Sequence, residues 1–372
     1  MAFFHSSNCG RRNCRQRVLI TGGAGFIGSN LADRLLSAGV PVIIFDNLSA
    51  PGGLENLRWL RDRHPEHNLH VEVADIRHRD ALRRSMRGAG HIFHLAAQVS
   101  VMQSLCAPRE DFEVNAGGTV NLIEEARALE PKPSVVFAST TKVYGSLPDL
   151  ALQLNGMRYE PEHAGLRAKG ISENRPLDFN TPHACSKGAA DQYVLDSARN
   201  LGIRATVLRL GSVYGPRQHG TGEHDWIGYI MRRALSGKEI LIHGDGRQVR
   251  DCLFVEDAVG ALLHAWEHID DLTGSAYNVG GGPKNSISLL ELLDQVETLT
   301  GQRPEVRFDS PRPGDAVYFV SDTRRFQQAS GWRMKVDLRQ GLQVLRDWLV
   351  EAGRIPAAAK AGESAEFENV AS

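Results

Sequence analysis

From Arg17 onward, short apolar runs alternate with longer segments of helical spacing. Val18 to Thr21 is a β-branched run with the length and character of a buried strand. Glycines follow, and then Ile27, Leu31 and Leu35 recur at helical spacing until about Gly39. The runs VPVIIFDNL, HVEVADI, HIFHLAA, PSVVFAST and RATVLRL predict five further strands, with helical segments between them. Strands alternating with helices predict an α/β fold with a parallel sheet covered on both faces.

After VYGPRQ the rhythm changes. WIGYIMRRALSG, GDGRQVRDCLFVEDA and NSISLLELLDQVETLTG predict helical and loop pieces with few strands, forming a smaller lobe at the C-terminal end of the sheet. Ser288 and Glu291 are spaced as a capping box for one of its helices. The expected organisation is a loose extension over residues 1–16 and a nucleotide-binding domain over 17–214, with a return segment at about 252–266. A mostly substrate-binding lobe over 215–350 and a disordered tail over 351–372 complete it.

Composition narrows the function classes. The 372 residues are 42% hydrophobic and 23% charged, ample for a large core. A net charge of -1 gives no pull toward nucleic acid or an anionic membrane. No apolar run approaches the roughly 20 residues that span a bilayer. The five cysteines, Cys9, Cys14, Cys106, Cys185 and Cys252, are odd in number and scattered, as suits a reducing cytoplasm. Cys9 and Cys14 have no second ligand pair, so no metal site is expected.

TGGAGFIG places Gly22, Gly25 and Gly28 between a strand and a helix. Such glycines permit a tight turn and let backbone N–H groups approach a pyrophosphate at the helix N-terminus. Asp46 ends the next strand, 18 residues past Gly28. A carboxylate there accepts hydrogen bonds from ribose hydroxyls and repels a 2′-phosphate, which favours NAD over NADP. Asp75, at the end of the third strand, is placed to accept from an adenine amino group. Together these features predict a Rossmann-type, doubly wound sheet.

Three elements should converge at the C-terminal ends of the strands. ASTTKVYG offers Ser139, Thr140 and Thr141; HLAAQVSV should pass beneath a nicotinamide; and TPHACSKGAADQYV carries His183 and Lys187 on one helical face. Here the chain resembles the extended short-chain dehydrogenases that act on nucleotide sugars, and within them the CDP-paratose 2-epimerases. The likeness runs from about Arg17 to about Leu349. It includes FDNLS, NLRWL, FHLAAQV, NAGGTVNLIEEAR, STTKVYG, CSKGAADQYVLDSAR and GRQVRDCLFVEDA.

The resemblance implies an NAD-dependent epimerase that acts on a CDP-sugar at C2, in the cytoplasm and as a homo-oligomer. It implies NAD contacts at Gly22, Gly25, Phe26, Ile27, Gly28, Asp46, Asn47, Asp75, Ile76, Leu95, Ala96, Ala97 and Lys187. Catalytic roles fall to Thr140, His183 and Lys187. Gln98, Thr140, Thr141, Lys142, Arg250 and Arg312 would meet the substrate, the two arginines gripping its diphosphate. The departure is His183, where the family's pattern has a tyrosine base. In the related 4,6-dehydratases an acidic pair follows the threonine; Thr141 and Lys142 stand there instead, which argues against water elimination. The alternatives are 4-epimerisation, simple oxidation, or a protein that binds NAD and a sugar nucleotide without turnover.

Overall fold

The computed structural model describes residues 17–351 except 221, 223 and 224. Cys9, Cys14, the expected extension and all but the first residue of the expected tail lie outside the described residues. The first half of the chain runs β1 (Arg17–Thr21), α1 (Phe26–Ser37), β2 (Val42–Asp46), α2 (Gly53–Arg63), β3 (Leu69–Val73), α3 (Arg79–Met86) and β4 (Ala89–His94). It continues with α4 (Val101–Cys106), α5 (Pro108–Phe112), α6 (Gly118–Arg127) and β5 (Ser134–Thr140). A hairpin, β6 (Leu152–Asn155) and β7 (Arg158–Pro161), is followed by α7 (Ala164–Lys169), α8 (Pro182–Asn200) and β8 (Ala205–Leu210).

The remainder contains β9 (Ser212–Tyr214), α9 (Trp226–Leu235), β10 (Ile240–His243), β11 (Val249–Phe254) and α10 (Val255–Glu267). Beyond these lie α11 (Ile269–Leu272), β12 (Ala276–Val279), β13 (Ser286–Ser288), α12 (Leu289–Thr300), β14 (Val306–Asp309) and β15 (Tyr318–Phe319). The predicted capping box is present, and it starts α12.

The central sheet has seven strands in the order β3-β2-β1-β4-β5-β8-β12. All are parallel, and the order reverses between β1 and β4. That reversal opens a crevice at the C-terminal strand ends, where open α/β sheets bind ligands. β12 was expected within the lobe; instead it forms the seventh strand beside β8. Its sequence AYNV is four residues long with no period of its own, and every residue is buried. The lobe also holds more strand than its helical spacing suggested: β10 pairs with β14, and β11 pairs with β9, β13 and β15.

One apolar core packs α1 and α10 against one face of the sheet and runs on into α9, β10 and α12 of the lobe. A second core fills the other face beneath α3, α6 and α8. The lobe therefore shares a core with the sheet, which fixes its position over the strand ends.

The helix that carries the candidate chemistry is well specified. Thr181 caps it, its Oγ1 accepting the Ala184 N–H at 3.2 Å, and Pro182 occupies its first turn. His183, Lys187 and Asp191 follow at four-residue spacing and share a buried face. Asp191 accepts Arg209 Nε at 2.9 Å, Arg209 Nη2 at 3.1 Å and Ser139 Oγ at 3.0 Å. α8 is thus clasped to β8 and β5 through groups with almost no access to water.

Removing one partner of a buried ion pair leaves the other charged and unpaired. Asp191→Ala should therefore lower stability by about 3–5 kcal/mol, read as a reduced midpoint in urea unfolding. A loss below about 1 kcal/mol would show that the clasp is dispensable.

Candidate active site

The glycine turn packs too closely for larger residues. Gly22 has φ +72°, and a Cβ there would lie 2.7 Å from Ala96 N. A Cβ on Gly28 would lie 2.2 Å from Gly22 O, so α1 can approach the turn only with glycine at that position. Gly25 precedes α1 without a side-chain cap, which leaves the amides of the first turn, with Phe26 and Ile27, for an anion. This narrow cradle at a helix start fits a dinucleotide pyrophosphate.

Asp46 closes the cradle. Its Oδ2 accepts Ala24 N–H at 3.0 Å and its Oδ1 accepts Leu48 N–H at 2.8 Å. Burial pushes its carboxyl above the ordinary range, opposed by those amides and that of Gly25. Asn47 donates to Asp75 at 3.1 Å, and Arg77 holds the same carboxylate through Nε at 2.8 Å. That arginine bond is the main reason the Asp75 carboxyl sits well below the usual range. Ile76 is buried against Gly118. Leu95, Ala96 and Ala97 leave the end of β4, Leu95 donating to Thr21 O at 3.0 Å. The expected cofactor residues thus gather along the ends of β1 to β4, except Lys187, which lies on α8 against β5.

On the other side of the crevice, Thr140 ends β5. Its Oγ1 accepts the Lys142 N–H at 3.2 Å, which leaves its own O–H to donate. Lys187 Nζ donates to Ala138 O at 2.7 Å and lies 4.2 Å from the centroid of the Phe137 ring. Burial pulls the lysine down to about 7, against the pull of the Asp191 and Asp111 carboxylates. His183 is 4% exposed. Its backbone N–H donates to Ser104 Oγ at 3.2 Å, and its Nδ1 lies 3.6 Å from Asp111 Oδ1. Burial is the main cause holding the imidazole below its usual value; Asp111 pulls it up, while Lys187 and Lys142 push it down.

Gln98 is pinned by Asn115. Its N–H donates to Asn115 Oδ1 at 2.9 Å, and its carbonyl accepts Asn115 Nδ2 at 3.0 Å. Thr141 and Lys142 form the short turn after β5. Lys142 Nζ lies 3.9 Å from Asp315 Oδ1, and Arg250 Nη2 donates to the same oxygen at 2.6 Å. Burial pushes the Asp315 carboxyl up, but Arg250, Lys142 and Arg312 outweigh it and hold the group ionised. Arg250 and Lys142 thus contact one carboxylate and the charge of Arg312 also acts on it, a net positive patch suited to a diphosphate. Gly314 sets this loop against α8, since a Cβ there would lie 2.3 Å from Thr181 Cγ2.

Asp111, Asn115, Asp191 and Asp315 had no assigned role in the sequence. Asp111 and Asn115 lie within stretches of ordinary helical character, and a π turn over Glu113–Gly117 follows Asp111. No spacing rule announces such a break.

Residues 18–280 match the family described as NAD dependent epimerase/dehydratase. CDP-paratose 2-epimerase of Salmonella typhi is 38% identical over 341 residues, covering 89% of this chain and 98% of that protein. UDP-glucose 4-epimerase of Mycolicibacterium smegmatis is 34% identical over 327 residues, covering 88% of this chain and 96% of that one. A crystal structure of UDP-glucose 4-epimerase from Thermus thermophilus, solved with NAD, overlays with a TM-score of 0.74 at 33% identity. That overlay covers 89% of this chain and 98% of the other. With likeness of this extent added to the glycine cradle and the buried lysine at the strand ends, the chain belongs to the NAD-dependent epimerase/dehydratase family.

Proposed function

We propose that the protein inverts C2 of a CDP-sugar by transient oxidation to a keto-sugar and re-reduction on the opposite face. The observation that carries the reading is the His183–Lys187 pair, one helical turn apart on the buried face of α8, with Lys187 bonded to Ala138 O near the end of β5. The CDP-sugar and the choice of C2 rest on the Salmonella relative. Water elimination is disfavoured because Lys142, engaged with Asp315, stands where a carboxylate would be needed.

A C–H bond beside a simple hydroxyl is not acidic, so a base alone cannot invert the carbon. NAD, bound in the glycine cradle beside Asp46, supplies a reversible hydride acceptor. The residues of the chain handle everything else. His183, held neutral at pH 7 by burial, accepts the hydroxyl proton and later returns it. Thr140 donates a hydrogen bond to the reacting oxygen. Lys187 adds positive potential that favours the developing alkoxide. Arg250, Arg312 and Lys142 hold the diphosphate while the flat keto-sugar turns over.

The same reading includes a homo-oligomer. Met102, Leu105, Phe112 and Tyr193 expose large apolar surface on α4, α5 and α8, which pack against one another. Light scattering after gel filtration should give a multiple of 40.9 kDa. Phe112→Glu should shift it toward the single chain; a wild-type monomer would refute the assembly.

His183→Phe should abolish epimerisation of CDP-paratose while NAD, assayed after denaturation, stays bound. The wild-type rate should rise with pH through an ionisation below about 6.5 and then level off, because burial keeps the imidazole pKa under its free value. In deuterated buffer the inverted carbon should gain no deuterium, since the hydride mechanism returns the same hydrogen. Solvent deuterium at that carbon would sink the redox route, and an active His183→Phe would sink the assignment of the base.

Arg250 bears on binding rather than chemistry. Arg250→Ala removes a charge-assisted donor worth about 1.5–3 kcal/mol, or roughly 10- to 150-fold in affinity. It also leaves Asp315 with less compensation beside the diphosphate. Calorimetry should show weakened nucleotide-sugar binding with unchanged NAD content; equal affinity would show that the arginine faces elsewhere.

A further inference from the structure

His183 stands where the family's pattern has a phenol, and the two groups differ in a way that the surrounding residues must answer. A phenol has one protonation site. An imidazole has two nitrogens, and it can accept a proton at one only if the other carries hydrogen. Nδ1 of His183 is buried and makes no hydrogen bond, with Asp111 Oδ1 3.6 Å away. Asp111 is 1% exposed and fixed from two other sides. Asn115 Nδ2 donates to its Oδ1 at 3.2 Å, and Ser186 Oγ donates to its Oδ2. An ionised carboxylate oxygen has two acceptor positions, so Oδ1 retains one for a second donor. The gap is a few tenths of an ångström beyond a hydrogen bond, and catalytic contacts of this kind commonly tighten when ligands bind.

The geometry points to Asp111 as the positioning residue for His183: its Oδ1 accepts a hydrogen bond from Nδ1–H, fixing the neutral tautomer that leaves Nε2 as the acceptor for the sugar hydroxyl. This rests on the epimerase reading above and adds a residue and a tautomer to it. The cycle balances in protons. Nδ1 keeps its hydrogen throughout; Nε2 gains the hydroxyl proton as the hydride leaves and returns it as the hydride comes back. The imidazolium that forms in between faces Lys187 on its own helix and Lys142 on the turn after β5, both of the wrong sign for it. Among the groups acting on the imidazole, Asp111 on α5 is the anion. Ser104 on α4 meets only the backbone of His183. Asp111 therefore both orients the base and supports its charged form.

The test uses the full-length protein loaded with NAD and labelled with 15N-histidine. His183→Phe identifies the His183 signals among the 14 histidines. At pH 7.5 the wild type should show a protonated Nδ1 and a bare Nε2. Asp111→Ala should lose that tautomer, while Asp111→Asn, which keeps an acceptor oxygen without the charge, should retain it and titrate at lower pH. Asp111→Ala should also lower kcat about a hundredfold or more with KM little changed. Placed on a His183→Tyr background, it should change kcat less than threefold, because a phenol needs no partner to choose its tautomer. A purely structural Asp111 would cost the same on both backgrounds and leave the nitrogen shifts unmoved, and either result overturns the proposal. Should no nucleotide sugar be turned over, the functional reading fails, while the nitrogen shifts still decide whether Asp111 sets the tautomer.

Discussion

The Asp191–Arg209 pair sets the position of the helix that carries His183 and Lys187. Burying two charges is costly, and their attraction offsets the cost only when the remaining lone pairs are also filled. Asp191 meets that condition: two nitrogens of Arg209, the hydroxyl of Ser139 and the side chain of Gln192 all donate to it. The return lies in specificity of placement. A helix held only by alanines and valines against a flat sheet can rotate or slide at little cost. One held by a forked guanidinium cannot. His183 and Lys187 lie two turns and one turn back from Asp191, so fixing that residue fixes both.

The charges around the site form a chain that no single pair explains. Asp191 and Asp111 oppose the burial of Lys187, and Lys187 settles at about 7 instead of falling further. A lysine so poised is a weaker repulsive neighbour for an imidazolium than a fully charged one. Asp111 in turn serves Lys187, Ser186 and His183 together. Farther out, Asp315 gathers Arg250 and Lys142. It keeps two cations oriented that would otherwise repel each other across the turn after β5.

Local chemistry was the legible part of the sequence. Gly22 and Gly28 announce close backbone packing, and the structure shows the contacts that any side chain there would violate. Ser288 and Glu291 write their own helix start. His183 and Lys187 stand four residues apart, and so their shared helical face could be read before their surroundings were known. Long-range partners were not legible. β12 is too short to carry a period, and only β8 tells it where to lie. Asp111 is 72 residues before His183, on a five-residue helix whose sequence, PREDF, gives no reason to expect its aspartate to point inward. The loop around Asp315 reaches α8 through a glycine contact that no motif foretells.

Position 183 shows why a substitution should be judged with its neighbours. For a tyrosine base, nearby positive charge is helpful, because it lowers a phenol pKa of about 10 toward neutrality. For a histidine the same field has the wrong sign, since it opposes the protonated form that the proposed proton transfer requires. Burial acts in the same direction. An imidazole placed there without compensation would be neutral and accessible to a proton, but too weak to hold it. A carboxylate at Nδ1 reverses part of that penalty. It also removes a second problem, the choice between two nitrogens, that the phenol never posed. Whether the scaffold can use histidine is therefore decided across the α5–α8 contact more than at residue 183 itself. In the proposed mechanism, the glycine cradle and the Arg250–Lys142 patch can stay unchanged while the proton-transfer step is rebuilt around a different acid–base group.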